Sequence, residues 1–68
     1  MMENITSILP IDVPANVELM WDKPRAKVIL FKNSEPKAFK NLEDDFKNHE
    51  DDAIRAAVLI IRGGGNKL

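Results

Sequence analysis

The sequence predicts an α+β fold with an N-terminal extended arm, a β-hairpin over residues 16–21 and 26–32, and one or two C-terminal helices over residues 35–48 and 51–62. Two stretches with the alternation or composition of strands predict the hairpin, and apolar residues at helical spacing predict the helices. The chain has 68 residues, of which 44% are hydrophobic and 31% are charged. This composition is typical of a folded protein, and the length fits one small domain over residues 1–68.

Residues 1–15 are predicted to form the extended arm. Pro10 and Pro14 each disfavour helix and push the preceding residue toward extended geometry. Four apolar side chains of this segment still need burial: Ile8, Leu9, Ile11 and Val13. We therefore expect the arm to lie across the core, or across a partner, as an edge strand.

The hairpin is predicted from two runs that are separated by turn residues. In the first run Val17, Leu19 and Trp21 alternate, which places them on one face of a strand. The sequence Asp-Lys-Pro-Arg then supplies the turn. The second run has a β-branched and aromatic centre. Because residues 28–31 are apolar on both faces, we expect this strand to be covered on both sides.

The first helix is predicted from its start signals. Ser34 can cap free backbone donors, and Pro36 suits a first turn because its missing N–H has no helical partner there. Phe39, Leu42 and Phe46 then recur at helical spacing.

The second helix is predicted to begin at Asn48 or Asp51, since either residue can cap it. It carries apolar residues on one face, namely Ala53, Ile54, Ala57, Val58 and Ile61. It is expected to end at the glycine run, where residues 63–68 form a flexible tail. Two alternatives remain open: one continuous helix over residues 35–61, or a third strand at residues 58–61, because a short β-branched run fits both periods.

Composition excludes several classes of site and partner. The chain has no cysteine and one histidine, so we expect no disulfide, no metal site and no cofactor. The longest apolar run, residues 56–61, is far shorter than the roughly 20 residues of a membrane span. A net charge of −1 gives no whole-molecule attraction to nucleic acid or anionic lipid. The first residues do not resemble a secretory signal, so we expect a cytoplasmic protein, or one inside a host cell.

The sequence contains no recognisable catalytic motif. His49 has Asp45 one turn earlier, but a metal site or an oriented base needs further partners. Neither Ser7 nor Ser34 lies in a nucleophile elbow. The glycines that follow Arg62 do not match a phosphate-binding loop. We therefore expect no enzymatic activity and no small-molecule substrate.

Two groups of residues are candidates for binding a partner. Trp21, Met20 and Phe31 are large apolar side chains. Trp21 fits burial in the core and also an anchor in a partner's pocket, since tryptophan dominates many interfaces. The second group is acidic and consists of Glu43, Asp44, Asp45, Glu50 and Asp51. A chain this short gains only about 3–5 kcal/mol from its core, so we expect association with another protein or with a second copy. Together these features predict a small non-catalytic module that regulates or inhibits a larger protein.

Residues 51–58, Asp-Asp-Ala-Ile-Arg-Ala-Ala-Val, follow a strand and a first helix in this prediction. Over residues 26–62 this arrangement resembles the ribbon-helix-helix family of DNA-binding repressors, whose second helix often opens with an acid-Ala-Ile-Arg run. The resemblance implies an intertwined dimer whose paired strands enter the major groove. A dimeric DNA-binding regulator is therefore one alternative function. Another is a small structural subunit of a large assembly, which would bury the arm at residues 4–15.

Overall fold

The computed structural model describes residues 2–68, in which five antiparallel strands form one sheet and one α-helix packs on it. Each strand pairs with its neighbour in sequence, and the helix connects the last two strands. The elements are β1 (Met2–Asn4), β2 (Val17–Asp22), β3 (Lys27–Lys32), β4 (Glu35–Asn41), α1 (Glu50–Ile61) and β5 (Asn66–Lys67), with short 3-10 turns at Thr6–Ile8 and Asp44–Phe46.

The predicted hairpin is present as β2 and β3. Leu19 pairs with Leu30 and Trp21 pairs with Val28, so these four side chains share the face of the sheet that α1 covers, which we call the inner face. Ala26, predicted as the first residue of the second strand, instead ends the turn with a positive φ of 53°.

The prediction of a helix over residues 35–48 is wrong, because β4 and the second 3-10 turn occupy this segment. Asn33 and Ser34 both have positive φ, at 53° and 67°, as a two-residue hairpin turn between β3 and β4 requires. Pro36 is tolerated because the register shifts by one residue between Leu30 and Phe31, and such a bulge accommodates a residue that cannot donate a ladder hydrogen bond.

The prediction of a second helix agrees with α1, which includes residues 58–61. The helix ends at Ile61, and two residues later Gly63 has a positive φ of 93°. In this turn the Gly63 N–H donates to the Ile60 carbonyl and the Gly64 N–H donates to the Leu59 carbonyl. Because β4 separates β3 from α1, the single continuous helix and the ribbon-helix-helix arrangement are both absent from residues 2–68. None of the helices formed by these residues is long and apolar enough to cross a membrane.

Both ends of the described chain join the sheet. The N-terminal arm pairs with β2 through Met2–Asn4, and its Ile5 is fully buried. Thr6 then accepts a hydrogen bond on Oγ1 from the Leu19 N–H at 2.9 Å, which binds the arm to the edge of β2. At the other end, the segment predicted as a flexible tail contains β5, because the turn at Gly63 returns the chain to β4.

Helix α1 contacts β3 and β4 through small side chains. Ala53, Ala56 and Ala57 are buried together with Ile60. The three alanines let the helix approach the sheet closely, and Ile60 adds a longer side chain at the C-terminal end of this contact. Leu9 and Val13 of the arm pack against the same core.

We predict that Ser34→Gly raises the free energy of unfolding by about 0.5–1 kcal/mol, because glycine adopts a positive φ without the steric cost that a side chain brings. Urea denaturation measures the change. Lys32→Gly is the matched control, since this exposed β3 residue is paired on both sides, has no positive φ, and glycine is expected to destabilise the strand by a similar amount. Equal destabilisation by both substitutions would contradict the turn geometry.

Candidate functional site

The face of the sheet opposite α1 carries four apolar side chains on three adjacent strands. Met20 pairs with Ile29 and Ile29 pairs with Phe39, so these three lie in one row across the sheet. Phe31 lies two residues beyond Ile29 on the same face of β3. We call these four residues the open face: all are half-buried, and within residues 2–68 no helix or further strand lies over them.

An apolar open face is unusual for an antiparallel sheet with one covered side. Such a sheet normally alternates, with apolar residues toward the core and polar residues toward water. In β3 both sets are apolar: Val28 and Leu30 face the core, whereas Ile29 and Phe31 face away from it. The sequence predicts that this strand is covered on both sides, but the described chain covers only one. Residues 2–68 supply no second covering layer.

Polar groups border the open face without giving it a strong charge. The Lys27 ammonium lies 5.2 Å from the centre of the Phe39 ring, within the range of a cation–π contact. At the other end Glu18 accepts a hydrogen bond from the Asn4 side-chain amide at 3.1 Å. A cavity of about 250 Å³ lies beside Glu18 and is lined mainly by Met2, Met20 and Phe31. One base and one acid thus flank an apolar centre.

Of the three apolar residues predicted to bind a partner, the open face brings together Met20 and Phe31 but not Trp21. Trp21 lies on the inner face and is 2% exposed. Its indole N–H donates to the Lys47 carbonyl at 3.1 Å, and the Lys23 ammonium lies 4.5 Å from the ring centre. Trp21 is therefore a core residue that attaches the segment before α1 to the sheet.

The acidic residues predicted to bind a partner lie on the other side of the sheet from the open face. Glu43, Asp44 and Asp45 are exposed in the connection that follows β4. Glu50 and Asp51 are exposed in the first turn of α1, where acids interact favourably with the helix dipole. The structure thus divides the predicted partner-binding residues between two surfaces and, for Trp21, the core.

Sequence reasoning missed Ile29 and Phe39 as members of the surface. The signal for Ile29 was present, because residues 28–31 are apolar on both faces of the strand, and Ile29 lies on the face opposite Val28 and Leu30. Phe39 was assigned to a helix, so its place beside Ile29 depended on recognising β4 first.

The side chains considered for catalysis or metal binding do not converge. The His49 Nδ1 atom lies 3.5 Å from a carboxylate oxygen of Asp52. The sequence has no second histidine to complete a metal site. Over residues 2–68 there is no cluster of three or more histidine, aspartate or glutamate side chains placed to hold a metal ion.

Comparisons with known proteins place the chain in no family. No protein-family model, curated protein or solved structure matches it. Its function is therefore inferred from its own surfaces.

We predict that Ile29→Thr lowers the free energy of unfolding by less than about 1 kcal/mol, because the half-buried side chain has no packing partner above it and threonine suits a strand. Val28→Thr is the matched control on the adjacent, fully buried position, where a hydroxyl in the core costs about 1–3 kcal/mol. Thermal and urea unfolding compare the two. A larger loss of unfolding free energy for Ile29→Thr than for Val28→Thr would contradict the assignment of Val28 to the inner face and Ile29 to the open face.

Proposed function

We propose that this chain is a non-catalytic protein-binding module that regulates or inhibits a larger protein, and that the open face is its docking surface. One observation carries the proposal: Met20, Ile29, Phe31 and Phe39 form a continuous apolar patch over which the described chain places nothing. Burying such side chains gains about 25 cal/mol per Å² of apolar area, so a partner with a matching apolar surface is stabilised there.

The size and chemistry of this face suit a protein partner. Phenylalanine and methionine are enriched at the centres of protein interfaces, and polar residues at their rims. Lys27 and Glu18 supply such a rim. An interface of standard size covers about 800 Å² of each partner, which is less than a fifth of the 4492 Å² that this chain exposes. One sheet face with its rim is of the right order to supply that area.

A DNA-binding role has less support from the arrangement of charge. Lys27 lies at the rim of the open face, Lys32 at the far end of β3, and Arg55 on α1 within 3.8 Å of Asp52. These three bases do not share a surface, whereas phosphate contacts need several bases on one face.

A role as a structural subunit that buries its arm in an assembly also has less support. Ile5 of the arm is fully buried in the chain's own core, and Leu9 and Val13 pack against that core. Releasing the arm to an assembly would expose these apolar side chains.

We predict that a tagged wild-type chain captures a protein from native lysate in stoichiometric amount, and that Phe31→Thr or Ile29→Thr abolishes the capture. Lys32→Thr is the control, because this exposed β3 residue pairs with Val17 and so lies on the inner side of the sheet, and it is expected to retain the capture. Quantitative mass spectrometry, with and without nuclease treatment, identifies the captured protein and its amount. Light scattering of the purified chain measures its molar mass and so shows whether the partner is a second copy of the chain.

Equal capture by the wild type and both open-face variants would contradict the proposal that the open face is the docking surface. Capture that disappears with nuclease would instead favour nucleic acid as the partner.

A further inference from the structure

The open face carries an acid at one end and a base at the other. Glu18 of β2 pairs with Phe31, at the lower end of the apolar patch, and Lys27 of β3 lies four residues before Phe31, at the upper end. By alternation both charged side chains lie on the same side of the sheet as Met20 and Ile29. Within residues 2–68 neither Glu18 nor Lys27 forms an ion pair.

The other charged residues near this face leave that arrangement unchanged. Asp22 pairs with Lys27 in the register of β2 and β3, but its side chain is only 5% exposed and lies 3.4 Å from Arg25. Lys37 is exposed on β4, two strands away from Glu18. On the part of the face formed by β2 and β3, Glu18 and Lys27 are therefore the two opposite charges that remain for a partner.

Two opposite charges at opposite ends make the open face complementary to itself. A two-fold axis that passes between Met20 and Ile29, in the plane of contact, places Lys27 of each copy over Glu18 of the other. Glu18 and Lys27 are separated by about 13 Å along the strands and by one strand spacing of about 4.8 Å across them. The line that joins them is inclined by about 20° to the strands, so the two-fold axis makes the strands of the two copies cross at about 40°. This angle is close to the crossing of about 30° in aligned β-sandwiches.

The same axis brings the apolar side chains of two copies together. Met20 and Ile29 lie next to the axis, so each meets its own equivalent in the second copy. Phe31 and Phe39 lie away from the axis, and the rotation places Phe31 of one copy beside Phe39 of the other. The charges and the apolar patch are thus satisfied by one arrangement.

We infer that the open face pairs with the open face of a second copy of this chain, in a two-fold β-sandwich dimer with two Lys27–Glu18 ion pairs. The inference rests on the proposed function in that it uses the same docking surface. The second copy and the larger protein compete for this surface, so self-association regulates how much of the chain is free to dock. A net charge of −1 leaves little repulsion between copies. An interface of no more than about 800 Å² per copy favours a reversible dimer, monomeric when dilute.

Sedimentation equilibrium of the full chain from about 10 µM to about 1 mM tests the dimer. We expect the molar mass to rise from that of one chain toward that of two, and the Met20 and Ile29 methyl groups to become protected from solvent over the same range. Ile29→Thr is expected to remain monomeric. The mass of a single chain at every concentration would overturn the inference, and so would a dimer that Ile29→Thr leaves intact.

Charge reversal tests the two-fold arrangement. Lys27→Glu or Glu18→Lys alone places like charges at both ends of the dimer, and we expect each to weaken self-association at least about fivefold. In a mixture of the two variants, the acid introduced at position 27 meets the base introduced at position 18, and the two unchanged residues meet at the other end. We therefore expect the mixture to associate as tightly as the wild type, with an advantage over either variant that decreases at high salt.

Lys32→Glu is the control for net charge, because this exposed residue lies on the inner side of the sheet, and it is expected to dimerise as the wild type does. Amide spectra of all variants check that they fold. A mixture that associates no more tightly than either charge variant alone would overturn the inference.

The dimer and the proposed function fail separately. A chain that stays monomeric but captures a larger protein through the open face refutes the dimer and leaves the proposed function intact. A chain that dimerises as described but captures no larger protein refutes the proposed function and leaves the dimer intact.

Discussion

The packing of α1 on β3 and β4 through Ala53, Ala56 and Ala57 is the contact on which the rest of the structure depends. A helix about 10 Å wide covers roughly two strands spaced about 4.8 Å apart, so it cannot cover a five-stranded sheet alone. The arm covers the remaining inner face beside β2 with Ile5 and its neighbours. Residues 2–68 then contain no further element for the opposite face, which keeps its apolar residues without a cover.

Local signals in the sequence were sufficient for the hairpin and for α1, but not for β4. Ser34 and Pro36 fit a helix start as well as they fit a hairpin turn followed by a bulge. Phe39, Leu42 and Phe46 have helical spacing although Phe39 lies in a strand. The choice between these structures depends on pairing with β3, a tertiary contact that neither local propensity nor periodicity contains.

The open face could be predicted only in part, because its membership also depends on which way each strand faces and on how the strands pair. Alternation in β2 separates Met20 from Trp21 but does not say which set faces the core, so the sequence left Trp21 open between core burial and an anchor in a partner's pocket. The structure buries Trp21 and leaves Met20 on the open face with Phe31. Ile29 joins them by alternation, whereas Phe39 joins them only through the register of β4. A strand that is apolar on both faces remains the clearest sign of the surface in the sequence.

The most direct test of the open face as a docking surface is the solvent accessibility of its methyl groups, measured by NMR with a soluble paramagnetic co-solute. In dilute buffer the methyls of Met20 and Ile29 should broaden and that of buried Val28 should not. In native lysate the Met20 and Ile29 methyls should become protected, while Ile8, an exposed residue of the arm, stays accessible. Met20 and Ile29 methyls that remain equally accessible in buffer and in lysate would contradict the account.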